Sequence, residues 1–209
     1  MEIKHVTVSG AGLMGTQIAM QVALHGYQVT TYDVFPAQLE KAKAFADDWF
    51  AKRVQKGKLS AEAAAKAQAA LHYSSDIQEA AGEADLIIDA VPDILKIKIK
   101  SLKALDEYAP AHCIYASNSS YIVSSRFCHA VKDPSHVLNV HFFNPALVMK
   151  IVEVVKGPHV SQDTFDTAFR FVQSIDKTPV KIEKEIYGFV VNRIFSALTR
   201  EACYLVDAG

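Results

Sequence analysis

Little in this chain of 209 residues is extreme, and each shortage removes a class of protein. The three cysteines (Cys113, Cys128 and Cys203) are odd in number, far apart and without a CxxC pair, so neither a disulfide framework nor a metal site is expected. Unpaired thiols fit a reduced, cytoplasmic protein. Neither sign of charge dominates. The 22 Lys and Arg against 23 Asp and Glu leave a net charge of −1, which argues against a nucleic-acid binder or a polybasic membrane-surface protein. No apolar run approaches the roughly 18 residues of a membrane span. Met1-Glu2-Ile3-Lys4-His5-Val6 leads straight into strand-like sequence, so no signal or transit peptide is expected. What is present is an ordinary globular balance, 50% hydrophobic and 22% charged. At about 150 residues per domain that is material for one to one and a half domains.

The first 33 residues are the most informative. Lys4 to Ser9 reads as a buried strand, followed at once by Gly10-Ala11-Gly12-Leu13-Met14-Gly15. Ile18, Ala19, Val22 and Ala23 then recur at helical spacing up to Gly26, and Tyr27 to Tyr32 is a second strand closed by Asp33. Strand, glycine turn, helix, strand and acid match the spacing of a dinucleotide site. Gly10 permits the tight turn, Gly12 leaves room for a pyrophosphate, and Gly15 lets the helix lie close. The phosphates would sit on free amides at the positive helix end, which adds Leu13 and Met14 to the cofactor-binding residues. Asp33 would accept from the adenosine ribose hydroxyls. Its charge repels a 2′-phosphate and no arginine follows in Val34-Phe35-Pro36, so NAD is favoured over NADP. The bland alternative is a turn whose glycines serve packing alone.

Further along, a helical hairpin is expected over about 36–72, with Pro36 in a first turn, a break at Lys56-Gly57-Lys58 and Ser60 capping an alanine-rich helix from Ala61 to Leu71. Strands are expected at 85–91, 112–116, 136–141, 150–156 and 180–183. Helices are expected at 94–108, 123–130 and 162–175, then a last one from Gly188 to Gly209. This alternation predicts an α/β protein with a doubly wound, mainly parallel Rossmann-type sheet. The last helix carries an apolar stripe (Val191, Ile194, Phe195, Leu198, Ala202, Leu205) that needs a surface to pack on. It reads as the first helix of a second domain, dividing the chain into 1–186 and 187–209.

Reactive ends in such sheets are the carboxyl ends of strands. Ser117-Asn118-Ser119-Ser120 and His141-Phe142-Phe143-Asn144-Pro145 both follow strands, and Asn192 sits just inside the last helix. A lone histidine is ordinarily a core or surface residue. His141 gains weight because Glu153 lies on the next strand, within reach if the two strands are neighbours, and a carboxylate beside an imidazole fixes its tautomer. His136 and His141 face opposite sides of a strand, so no metal pair is expected.

These residues, in this order, carry a specific likeness. With Met149-Lys150-Ile151-Val152-Glu153-Val154 and Gly188-Phe189-Val190-Val191-Asn192-Arg193, the chain resembles the L-3-hydroxyacyl-CoA dehydrogenases, including 3-hydroxybutyryl-CoA dehydrogenases, over essentially its whole length. The resemblance implies that His141 is the general base and Glu153 orients it, and that Ser120 and Asn192 hold the substrate oxygens. It implies that Asn118 and Asn144 line the nicotinamide and the catalytic histidine, that Asp93, Lys98 and Ser120 contact the cofactor, and that Lys56 on the hairpin meets the CoA moiety of an acyl-CoA substrate. Lys98 could equally be a solvated lysine on a lysine-rich helix, and Lys56 one surface lysine among many. Three positions depart from the family pattern: Ser119 in place of threonine, Asp93 in place of glutamate, and Trp49 in place of a small polar CoA contact. Family members continue into a longer helical domain that makes a homodimer, so the chain is expected to be a truncated form. Two alternatives stand beside this reading: a dehydrogenase of a free hydroxy acid, of L-gulonate or carnitine type, and a non-catalytic NAD-binding protein.

Overall fold

Valine and threonine in alternation build β1 (His5–Ser9), and the chain turns directly into α1 (Leu13–Leu24) and β2 (Gln28–Tyr32), the expected βαβ unit. The structure, a computed structural model, describes residues 2–209. The hairpin follows as α2 (Pro36–Gln55) and α3 (Ala61–Ala69), where the Ser60 hydroxyl accepts from the Ala63 amide as an N-cap. Here one expectation fails. The alanine-rich helix stops at Ala69, and Leu71–Ser74 is a strand, β3, followed by the short helix α4 (Ile77–Ala81). Alanine propensity masks a four-residue strand whose alternation is too short to register against the helical run before it.

The remaining elements keep the expected order: β4 (Leu86–Asp89), α5 (Leu95–Asp106), β5 (Ile114–Ser117), β6 (Val137–Phe142), β7 (Ile151–Val155), α6 (Gln162–Ser174), β8 (Thr178–Ile182) and α7 (Val191–Ala208). The helix expected at 123–130 is instead a pair of 3-10 turns, Ser124–Arg126 and Cys128–Ala130.

All eight strands join one sheet in the order β3-β2-β1-β4-β5-β6-β7-β8. The strands from β3 to β6 run parallel, β7 reverses against β6, and β8 runs with β7. Side-chain alternation feeds both faces. Leu86 and Ile88 join Val6, Val8, Ile18 and Phe171 on one face, whereas Ile87 joins Leu102, Leu105 and Phe127 on the other. The chain reverses direction across the sheet between β1 and β4. Parallel sheets open their ligand crevice at that switch point, beyond the carboxyl ends of the strands.

No residue of α7 is buried, and its stripe of Ile194, Phe195, Leu198 and Leu205 lies open. No helix among the described residues is long and apolar enough to cross a membrane.

Candidate active site

The glycine turn leaves β1 beside the end of β4. Gly10 has φ +106°, and a Cβ there would fall 2.7 Å from the Ala90 carbonyl oxygen; a Cβ on Gly15 would fall 1.8 Å from the Gly10 carbonyl oxygen. Gly10 excludes a side chain because the backbone after β4 lies against the turn, and Gly15 because α1 is seated directly on it. Gly12 differs, since a Cβ there would meet nothing within 4 Å. It opens a cradle that a side chain would fill. As the N-cap of α1 it supplies no side-chain acceptor, so the first-turn amides, with Leu13 and Met14, are left for an anion. At the end of β2, Asp33 accepts from the Ala11 amide (2.8 Å) and the Phe35 amide (3.0 Å), which fixes its carboxylate at the rim of the same cradle. An open glycine, an uncapped helix start and a fixed rim carboxylate together fit the phosphates and ribose of a dinucleotide.

Beyond β4 and β5, antiparallel pairing of β6 and β7 puts His141 opposite Glu153. The imidazole Nδ1 lies 2.8 Å from Glu153 Oε2. A carboxylate only accepts, so Nδ1 carries the proton and Nε2 is the ring's basic nitrogen. Both residues are buried, Glu153 completely. Its other oxygen, Oε1, accepts from the Val190 amide (3.0 Å) and the Val191 amide (2.9 Å). Burial pushes this carboxyl upward, but the bonds from His141, Val191 and Val190 outweigh it and hold it below the usual carboxylate range. Phe143 and Phe189 stand against the imidazole, with ring centroids at 4.5 and 5.6 Å.

The other expected residues fall into three groups. Ser120 and Asn192 are together, the Asn192 side-chain amide donating to the Ser120 carbonyl at 3.2 Å, and Asn118 Oδ1 accepts from the Phe142 amide at 2.8 Å, tying the β5 loop to the histidine strand. Asn144 is exposed in the loop after β6. Asp93 lies in the loop after β4 and Lys98 in the first turn of α5, where it is buried rather than solvated. Its side chain is 1% exposed, with the ammonium 3.0 Å from Asp89 and 3.6 Å from Asp93. Lys56 stands apart, exposed at the C-terminal end of α2. Trp49 packs edge-on against Phe50 with the Arg53 guanidinium over its ring, a packing role for this departure from the family pattern.

Sequence reasoning passed over several residues that hold the site. Asp89, fully buried, accepts from Lys98 and from Ser117 Oγ (2.8 Å). Asp93 receives Ser119 Oγ (2.5 Å) and the Ser120 amide (3.3 Å), so this chain of charges aims the serine loop. Lys177 donates to the carbonyls of Ala146 (2.6 Å) and Met149 (2.9 Å) and so pins the loop that carries Asn144. Burial, with Lys150 nearby, lowers its ammonium to about 8. A lysine between two helix-and-strand signals carries no local mark of such a role. Asp89 closing an apolar strand was the one legible hint.

With this geometry in place, comparison with known proteins is decisive. Residues 5–186 match the family model described as 3-hydroxyacyl-CoA dehydrogenase, NAD binding domain. The chain belongs to the 3-hydroxyacyl-CoA dehydrogenase family. It is 35% identical to the human mitochondrial hydroxyacyl-coenzyme A dehydrogenase over 212 residues, covering 99% of this chain and 67% of the relative. It is 37% identical to a 3-hydroxybutyryl-CoA dehydrogenase of Clostridioides difficile, covering 98% of this chain and 72% of the relative. Its fold superposes on the crystal structure of the (S)-3-hydroxybutyryl-CoA dehydrogenase of Ralstonia eutropha with a TM-score of 0.94 at 30% identity, over 99% of this chain and 73% of that one. This dehydrogenase chain thus spans about two thirds to three quarters of the length of these relatives.

Proposed function

We propose that this chain interconverts (S)-3-hydroxyacyl-CoA and 3-oxoacyl-CoA with NAD, and that His141 and Glu153 carry the proton chemistry. One observation carries the reading: a buried His141–Glu153 pair at 2.8 Å, on the same rim of the sheet as a vacant-sided glycine turn and the Ser120–Asn192 pair. Gly10 to Gly15 would hold the pyrophosphate of NAD and Asp33 its adenosine ribose; when bound, the nicotinamide takes or gives the hydride at C3. His141 accepts the 3-hydroxyl proton at Nε2 as that hydride leaves. Glu153 stabilises the imidazolium that results, without itself taking the proton. Ser120 and Asn192 donate to the substrate oxygens, where charge changes most in the transition state. Phe143 and Phe189 limit water around the imidazole, which strengthens each of these interactions.

The division of labour proposed is 1–186 for the dinucleotide and 187–209 as the start of a helical substrate and dimerisation domain, which the open stripe on α7 supports. An acyl-CoA is the substrate, with Lys56 its candidate CoA contact. The three unpaired cysteines fit a cytoplasmic setting.

The test is oxidation of NADH on adding acetoacetyl-CoA, run beside NADPH and beside free acetoacetate. Turnover with NADH and the thioester alone is the expected result. Turnover with free acetoacetate at the same rate would replace the CoA reading by a free-acid dehydrogenase. Asp33→Ala adds a check on the cofactor. Removing an acceptor that is charged is expected to weaken NADH by about 10- to 100-fold and to relax discrimination against NADPH. Fluorescence titration with both dinucleotides measures this, and an unaltered preference would remove Asp33 from its assigned role.

A further inference from the structure

The mechanism above uses one oxygen of Glu153. The second oxygen is occupied by backbone, and that backbone is the first turn of α7. Val190, the N-cap, has no side-chain acceptor of its own; its amide and that of Val191, the first helical residue, converge on Glu153 Oε1. The convergence is built into the chain path. Gly188 has φ +74° and Phe189 has φ +46°, two left-handed residues in succession, the second an aromatic one. A bulky residue in that region carries a conformational cost, sustained only where the surroundings fix it. Here the surroundings are the buried Phe189 ring, held by Val155 and Ile182 and lying against the His141 imidazole. Successive amides turned in this way form an anion-binding concavity, and the helix dipole points its positive end the same way.

We infer that the first turn of α7 is a positioning element of the acid–base pair: its two amides hold Glu153 in the orientation and ionised form that fix His141, so the seating of α7 is felt at Nε2. The inference rests on the reading of His141 and Glu153 as the proton-handling pair. It extends the machinery from two side chains to a helix start on the far side of the proposed domain boundary. Among the described residues no other titratable or charged group faces the pair. Glu153 has only His141 and the two amides as partners, and the imidazole is otherwise faced by Phe143 and Phe189.

An amide-to-ester replacement tests this, with the α-hydroxy analogue of valine at position 191 or, separately, at 190 in the full chain. Each ester deletes one N–H donor to Glu153 and leaves every side chain in place. The control is the corresponding ester at Ile194, whose amide donates to the Val190 carbonyl at 3.1 Å and does not touch Glu153. A carboxylate with fewer donors is more basic, so the pair binds its proton more tightly. The titration midpoint of His141, followed by histidine-selective nitrogen NMR without cofactor or substrate, is expected to rise by about one pH unit in either valine ester, a tenfold change in proton affinity. The Ile194 ester is expected to leave it unmoved. In the oxidative direction the acid limb of the kcat profile should move up by the same amount. An unmoved midpoint in both valine esters, or an equal shift from the Ile194 ester, overturns the inference. Absence of acyl-CoA turnover in the unaltered chain would defeat the proposed function while the NMR titration still decides this point.

Discussion

His141→Ala is expected to lower turnover by about 10²- to 10⁴-fold, the usual contribution of a positioned general base, with NADH affinity unchanged. The separation follows from placement. NADH would be gripped by the turn after β1 and by Asp33 after β2, whereas His141 stands at the end of β6, beyond β4 and β5. The loss should appear in kcat, because the proton is in flight only in the transition state. A structural cost comes with it. Without the imidazole, Glu153 Oε2 loses its 2.8 Å partner while Oε1 keeps two amides, and an unpaired oxygen of a buried carboxylate costs about 1–3 kcal/mol of stability. Urea unfolding therefore accompanies the kinetics, with turnover measured where the variant is folded. An equal fall in NADH binding would place His141 in the cofactor site and remove it from the chemistry.

Much of this site is legible because it is local. Gly10 to Gly15 with Asp33 encode a turn, a helix start and a strand end within one βαβ unit, and the structure gives each glycine a distinct steric reason. The His141–Glu153 pair is legible at one remove: two adjacent strand-like runs and the assumption that they neighbour, which the antiparallel register of β6 and β7 supplies. What escapes is whatever depends on long-range closure. Nothing near Val190 announces that its amide will meet a carboxylate 37 positions earlier. Nothing around Lys177 announces that its ammonium will meet two carbonyls in the loop between β6 and β7. β3 escapes for the opposite reason. Its local signal is real but four residues long, and strong alanine propensity next to it dominates any window that includes both.

Lys98→Met is expected to be among the most destabilising single changes in the chain. The resemblance assigns Lys98 to the cofactor, yet its ammonium is enclosed by two carboxylates, one of them the fully buried Asp89. Methionine fills much of the same volume, so packing survives and charge alone is lost. Asp89 then keeps only Ser117 Oγ and the Val91 amide as donors. Breaking one side of a buried pair leaves an uncompensated charge and costs about 3–5 kcal/mol, read as a lower urea midpoint at unchanged slope. Pairing the change with Asp89→Asn removes that orphaned charge, so the double variant should recover a large part of the loss. Losses that simply add would mean that the two groups do not stabilise each other. NADH affinity in the double variant separates the two roles. Retained affinity would make Lys98 the support of the Asp93–Ser119–Ser120 loop, whereas affinity lost together with recovered stability would return it to the cofactor.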